Sequence, residues 1–171
     1  MSEFGIIAVI GAVVALAFLF SAFKFVPQGY SWTVERFGRY KRTLQPGMAV
    51  LNPLCDRVGR KMNMMETVLD VPQQEVITKD NAMVSCDAIV FIQVIDPVAA
   101  AYEVNNLHHA IQNLSLTNIR TVVGSMDLDQ VLSNRDDINA RLLSVIDAAT
   151  NPWGVKVTRI ALADLSPPAD I

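Results

Sequence analysis

An α+β fold behind an N-terminal transmembrane helix is predicted by the order of elements in this 171-residue chain. Three observations carry that reading. Residues Phe4 to Phe23 run for 20 positions without a charged side chain. Val84, Cys86, Ala88, Val90, Ile92 and Val94 alternate with a mixed set, the period of two that marks a strand. Ile138, Leu142, Val145, Ile146 and Ala149 recur at helical spacing, and the β-rich run Val155 to Leu165 follows them. Strands, then helices, then a strand predict an antiparallel sheet with helices packed on it.

The first run, FGIIAVIGAVVALAFLFSAF, makes a helix of about 30 Å, the thickness of a bilayer's hydrocarbon core. Phe4, Ile7, Ile10, Val14, Phe18, Phe20 and Phe23 are its candidate lipid-facing anchors. It does not read as a cleaved signal peptide. Met1-Ser2-Glu3 is not basic, the apolar run is longer than an h-region, and Phe20 spoils a small-x-small site at Ala22. Lys24, Arg36, Arg39, Lys41 and Arg42 follow the helix, whereas only the amino terminus and Glu3 precede it. The positive-inside rule therefore predicts a single-pass protein with its N-terminus outside and the rest of the chain cytoplasmic. Gly5 and Gly11, with Ala8, Ala12 and Ala15, leave small-residue faces on which anchor helices could pack.

Val26-Pro27-Gln28-Gly29 ends the helical segment, which bounds an anchor at 1–25. Tyr30, Trp32 and Val34 then alternate with Ser31, Thr33 and Glu35 as a half-buried strand. Phe37-Gly38-Arg39-Tyr40 bends the chain into a second short strand, and Gln45-Pro46-Gly47 is a turn. A third strand is expected from Arg60 to Val71, ended by Pro72, and two more between Glu75 and Ile95 around Lys79-Asp80-Asn81. Asp96-Pro97 reads as an N-cap with proline at the first helical position, opening a helix to about Val104. Asn106 caps a helix through Val123 that Gly124 stops; Asp127 to Leu132 and Arg135 to Ala149 are further helices. Asn151-Pro152-Trp153-Gly154 breaks the last of them, and Ser166-Pro167-Pro168 closes the final strand. The soluble part, 26–171, thus divides into a β-rich portion to about 96 and an α/β portion from about 97.

All 14 Lys and Arg lie behind the apolar run, together with every acid except Glu3, so the soluble part taken whole is close to neutral. Nothing in it is basic enough to hold nucleic acid. Cys55 and Cys86 have no CxxC partner and read as small apolar fillers in a reducing compartment, with a single disulfide open as the alternative. His108-His109 lacks the third ligand that a metal centre needs, and no cofactor motif is present. Ser115, Ser125, Ser133 and Ser144 lack a GxSxG context or an evident base, so no catalytic residue is assigned.

Two features read as interaction sites. Met48, Val50, Leu51 and Leu54 form an apolar loop close behind the anchor, suited either to the lipid interface or to simple core burial. Asp127, Asp129, Arg135, Asp136, Asp137 and Arg141 form a charged face, suited either to solvent and helix capping or to contacts between protomers.

Four separated blocks resemble the stomatin/prohibitin (SPFH, or Band 7) domain in order and spacing. They are VPQGYSWTVERFGRYKRTLQPGMAVLNPLCDRV at 26–58, PQQEVITKDNAMVSCDAIVFIQVID at 72–96, NIRTVVGSMDLDQVLSNRDDINARL at 118–142 and ATNPWGVKVTRIALADLSPP at 149–168. Within the family they are most similar to bacterial QmcA-type proteins, then to mitochondrial stomatin-like proteins. The resemblance implies a non-enzymatic, membrane-bound homo-oligomeric scaffold whose domains stand side by side in rings or cages. It implies regulation of membrane proteins, with an FtsH-type membrane AAA protease or an NfeD-type membrane protein as partner. In the family the final Pro-Pro block leads into a long Ala/Glu-rich helix; here the sequence ends at Ile171, where that helix would begin. The competing readings are a membrane-anchored hydrolase or protease subunit, which needs a Ser/Lys or Ser/His pair, and a monomeric adaptor, which predicts no large homo-oligomer.

Overall fold

A computed structural model describes residues 2–166 of the chain, which form two compact units divided between Asn63 and Met64. The division falls inside the β-rich portion that the sequence assigns to 26–96.

The N-terminal unit begins with helix α1, Glu3–Ala22, which passes without a linker into strand β1, Phe23–Val26. The helix matches the expected run from Phe4 to Phe23 to within one residue at each end, and the last residues of the segment assigned to the anchor, from Phe23 on, are taken into a strand. Strands β2 (Tyr30–Arg36), β3 (Arg39–Leu44), β4 (Gly47–Val50) and β5 (Asp56–Asn63) follow. They build a two-stranded ribbon, β1-β4, and a three-stranded sheet in the order β3-β2-β5. Val26, Val34, Leu44 and Leu51 form the small core, with Tyr30, Trp32, Ala49 and Val58 packed partly against it.

The expected one-sided burial of β2 is only half right. Ser31 and Thr33 are buried with Val34, while Tyr30 and Trp32 are half-buried. The cause is a bulge. Trp32 stands opposite Lys61 and Val34 opposite Val58, so Thr33 faces two residues of β5. Its Oγ1 accepts from Arg60 N at 2.9 Å and satisfies the displaced backbone.

The second unit contains β6 (Thr67–Ile77), β7 (Met83–Val94), α2 (Pro97–Tyr102), α3 (Leu107–Gly124), α4 (Leu128–Ser133), α5 (Arg135–Thr150), a 3-10 turn (Asn151–Trp153) and β8 (Val155–Ser166). The sheet is antiparallel in the order β6-β7-β8. Leu69, Val90 and Ile160 form one row across it, and Val71, Ala88 and Leu162 the next. Helix α3 packs on β6 and α5 on β8, burying Ile111, Ile119, Ile138, Leu142 and Ile146. The alternating face of β7 from Val84 to Val94 is buried as its sequence requires.

The caps also form. Asp96 Oδ1 accepts from Val98 N and Ala99 N, and Asn106 Oδ1 accepts from His109 N. Gly154 takes a left-handed φ of 67° and its carbonyl accepts from Ile95 N and Asp96 N. Three expectations are corrected. The single strand from Arg60 to Val71 is two strands, β5 and β6, broken at 64–66. Pro72 does not end β6; it sits in a bulge between Val71 and Gln74 on an edge strand, where no ladder N–H is required. Val145 lies 46% exposed, since α5 is covered along the Ile138, Leu142 and Ile146 line alone. Pro167 and Pro168 lie outside the described residues.

Candidate membrane-facing site

Helix α1 is long and apolar enough to cross a bilayer, and of its residues only Ala22 is buried within the protein. Phe4, Ile7, Ile10, Val14, Phe18 and Phe20 are exposed on it. Phe23 is exposed as well, but as the first residue of β1. Leu51 N donates to Ala22 O at 2.7 Å, tying the foot of the helix to the segment after β4.

The ribbon β1-β4 extends this apolar surface. Phe23 pairs with Val50 and Phe25 with Met48, so these four side chains share one face, and all four are exposed. The other face carries Lys24 opposite Ala49 and the buried Val26 opposite Gly47. The expected apolar loop is thus corrected in two ways. Met48 and Val50 belong to a strand, and Leu51, only 3% exposed, is core. Leu54 is 80% exposed, in a turn where Asn52 Oδ1 accepts from Leu54 N. Phe25 was not singled out in the sequence, although Phe-Lys-Phe-Val directly after the helix carries the strand alternation that exposes it.

Charge gathers around this surface. Between residues 24 and 63, Lys24, Arg36, Arg39, Lys41, Arg42, Arg57, Arg60 and Lys61 face only Glu35 and Asp56 as acids. From 64 to 171 the balance reverses, with 14 acids against six basic residues. Near-neutrality of the whole soluble part conceals this polarity; summing charge by segment would have found it. Asp56 is buried and takes Arg36 Nε at 2.7 Å and Lys41 Nζ at 3.6 Å. The Arg36 hydrogen bond holds the Asp56 carboxyl below the ordinary carboxylate range, against the opposing effect of desolvation. Arg42 Nη2 donates to the Val50 carbonyl. Arg57 lies 3.6 Å from Glu35, and the Lys61 ammonium stands 4.4 Å from the centroid of the Trp32 ring.

Two cavities open at the foot of α1. One, of about 690 Å³, is lined by Phe23, Lys24, Phe25, Trp32, Arg57 and Lys61 among others. The other, of about 540 Å³, lies between Phe18, Leu19 and Ala22 of α1 and Arg36, Lys41 and Arg42. The indole N–H of Trp32 is buried and has no acceptor among the described residues.

The charged face of the second unit is exposed throughout: Asp127, Asp129, Arg135, Asp136, Asp137 and Arg141 all reach solvent. Part of it is already engaged within the chain. Arg141 Nη2 meets Asp137 Oδ2 at 3.4 Å one turn away, and Gln130 Oε1 accepts from Asp127 N. Asp129, Asp136 and Asp137 lie in the first turns of α4 and α5, where they complement the helix dipole. A linking residue that the sequence did not suggest is Asp80. Its Oδ1 accepts from Thr78 Oγ1 at 2.5 Å and from Leu128 N at 3.3 Å, joining the β6-β7 turn to the start of α4. The Thr78 hydrogen bond leads the effects that lower its pKa. Burial pushes the Cys86 thiol up to about 11, an inert form, and both cysteines are free. His108 and His109 are exposed in the first turn of α3.

Residues 24–171 match the family model described as the SPFH domain / Band 7 family. The chain is 40% identical over 166 residues to an uncharacterized protein of Methanothermobacter thermautotrophicus, covering 97% of this chain and 52% of that protein. It is 40% identical over 159 residues to one of Methanocaldococcus jannaschii, covering 93% and 79% respectively. It is 35% identical over 144 residues to the mitochondrial stomatin-like protein 2 of Rattus norvegicus, covering 84% and 41%. The chain therefore spans about half the length of the first of these relatives and less of the third.

Proposed function

The chain belongs to the SPFH/Band 7 family, and from that premise we propose that it is a membrane-anchored, non-enzymatic scaffold of the QmcA type. The observation that carries the reading is the direct passage of α1 into β1, with exposed apolar side chains on both. An anchor without a linker holds the N-terminal unit at the bilayer surface, and the Phe23, Phe25, Met48 and Val50 face rests in the lipid interface. The helix crosses once at the inner membrane, with the N-terminus outside and the folded units on the cytoplasmic side, next to Lys24.

Protomers confined to two dimensions assemble through contacts that are individually weak. Confinement raises their local concentration, so exposed pairs worth under about 1 kcal/mol each add up around a ring. Asp127, Asp129, Arg135, Asp136, Asp137 and Arg141 are the surface proposed for those contacts. The assembly organises a membrane microdomain and regulates membrane proteins within it, with an FtsH-type AAA protease or an NfeD-type membrane protein as partner.

The test is the particle mass of the full chain extracted in mild detergent, with negative-stain images. Rings or cages of many copies are expected, and a charge-reversal variant at Arg135 and Arg141 should shift them toward smaller species. A monodisperse monomer would overturn self-assembly, and release of the chain from membranes by alkaline carbonate would overturn anchoring.

A further inference from the structure

We infer that the larger cavity at the foot of α1 binds the headgroup of an anionic phospholipid, so that the protein selects the lipid around its own anchor. The inference deepens the scaffold reading and rests on α1 being embedded in a bilayer.

The two cavities differ in how far their cations are already engaged. In the smaller cavity Arg36 and Lys41 are held by Asp56, and Arg42 by the Val50 carbonyl, so that side is internally satisfied. In the larger cavity Lys24 and Lys61 have no acidic partner among the described residues, and Arg57 has only a 3.6 Å contact with Glu35. These groups stand beside the exposed Phe23 and Phe25, in direct continuation of α1. Such a place offers an acyl chain an apolar surface and a phosphate its counter-charges.

The same residues discriminate among headgroups. A zwitterionic choline needs a carboxylate or an open aromatic face for its ammonium. The one acid lining the cavity, Asp56, is already paired twice, and the Trp32 ring is covered by Lys61. A headgroup with net negative charge, such as phosphatidylglycerol, needs neither and gains from both lysines. At a membrane surface each lysine is worth about fivefold in affinity, and salt weakens the effect.

The full chain in detergent, titrated with an equal mixture of phosphatidylglycerol and phosphatidylcholine, tests this by native mass spectrometry of the retained lipids. Preferential retention of phosphatidylglycerol is expected. The double variant Lys24→Gln/Lys61→Gln should lose the preference by roughly 30-fold. Lys24→Arg/Lys61→Arg should keep it, and so should Arg120→Gln, which removes an exposed charge from the second unit. Equal retention of the two lipids by the unaltered chain would overturn the inference, as would an unchanged preference in the Gln variant. Displacement of the lipid by inorganic phosphate would instead reveal a free-phosphate site and overturn it too. Carbonate extraction of membranes carrying the same chain separates the two failures: a chain that stays integrated without lipid preference sinks this inference and leaves the anchored scaffold standing.

Discussion

The two units of this protein solve burial in opposite ways. In 64–166, long aliphatic side chains go inside: Ile111, Ile119, Ile138, Leu142 and Ile146 cover the rows of the β6-β7-β8 sheet. In 2–63 the core is four aliphatic residues, while Ser31, Thr33 and Asp56 are buried and Phe23, Phe25, Met48, Val50 and Leu54 are exposed. Exposed apolar surface of that extent is costly in water and costs nothing against lipid. The second unit is therefore stabilised by its own core, whereas the first is shaped for a surface outside the protein. Charge follows the same division, basic in the first and acidic in the second.

The difference between the units is greatest in their cores. Leu142→Ala removes a fully buried side chain from between α5 and the sheet, and we expect a loss of up to about 5 kcal/mol by urea denaturation in micelles. Leu51→Ala, in a small core bordered by half-buried Tyr30 and Trp32, should cost nearer about 2 kcal/mol because its surroundings can relax. Equal losses would contradict the difference between the units. Gly154→Ala should cost about 1–2 kcal/mol, since the new Cβ would sit 2.6 Å from the Asp96 carbonyl oxygen at a left-handed φ.

Acid sharpens the contrast further. Arg36 holds the Asp56 carboxyl, and Thr78 the Asp80 carboxyl, below the ordinary value of 3.8. Each carboxylate contributes stability that is present above that unfolded-state value and is lost as the pH falls through the depressed folded-state value. The urea midpoint should therefore fall below about pH 4. Asp80→Asn should flatten that limb for probes in the second unit, and Asp56→Asn for probes such as Trp32 in the first. The smallest effect on folding is expected from Met48→Asp, within about 0.5 kcal/mol, because the side chain is exposed. The same change should weaken contact of the ribbon with lipid, read as reduced quenching of Trp32 by brominated acyl chains in a Trp153→Phe background.

Features that depend on neighbours along the chain were legible in the string of residues alone. The uncharged run made α1, the alternation from Val84 to Val94 made the buried face of β7, and Asp96-Pro97 and Asn106 started their helices where their hydrogen bonds require. Family membership was legible for a related reason, since its blocks are local strings in a fixed order. Features that depend on a partner distant in sequence were settled only by the pairing and packing of the folded chain. Pairing with β4 placed Phe25 beside Met48 and made one exposed apolar surface from two segments that are each ambiguous alone. Leu51 and Leu54 are three residues apart and equally apolar, yet the first packs against Val26, Val34 and Leu44 while the second meets solvent. Pro72 could stay in β6 because that strand lies at a sheet edge and bulges there, and Val145 stayed exposed because the sheet covers a narrower stripe of α5 than its periodicity offers. A period states which residues share a face, but which face is covered is settled by register and by the element that packs there.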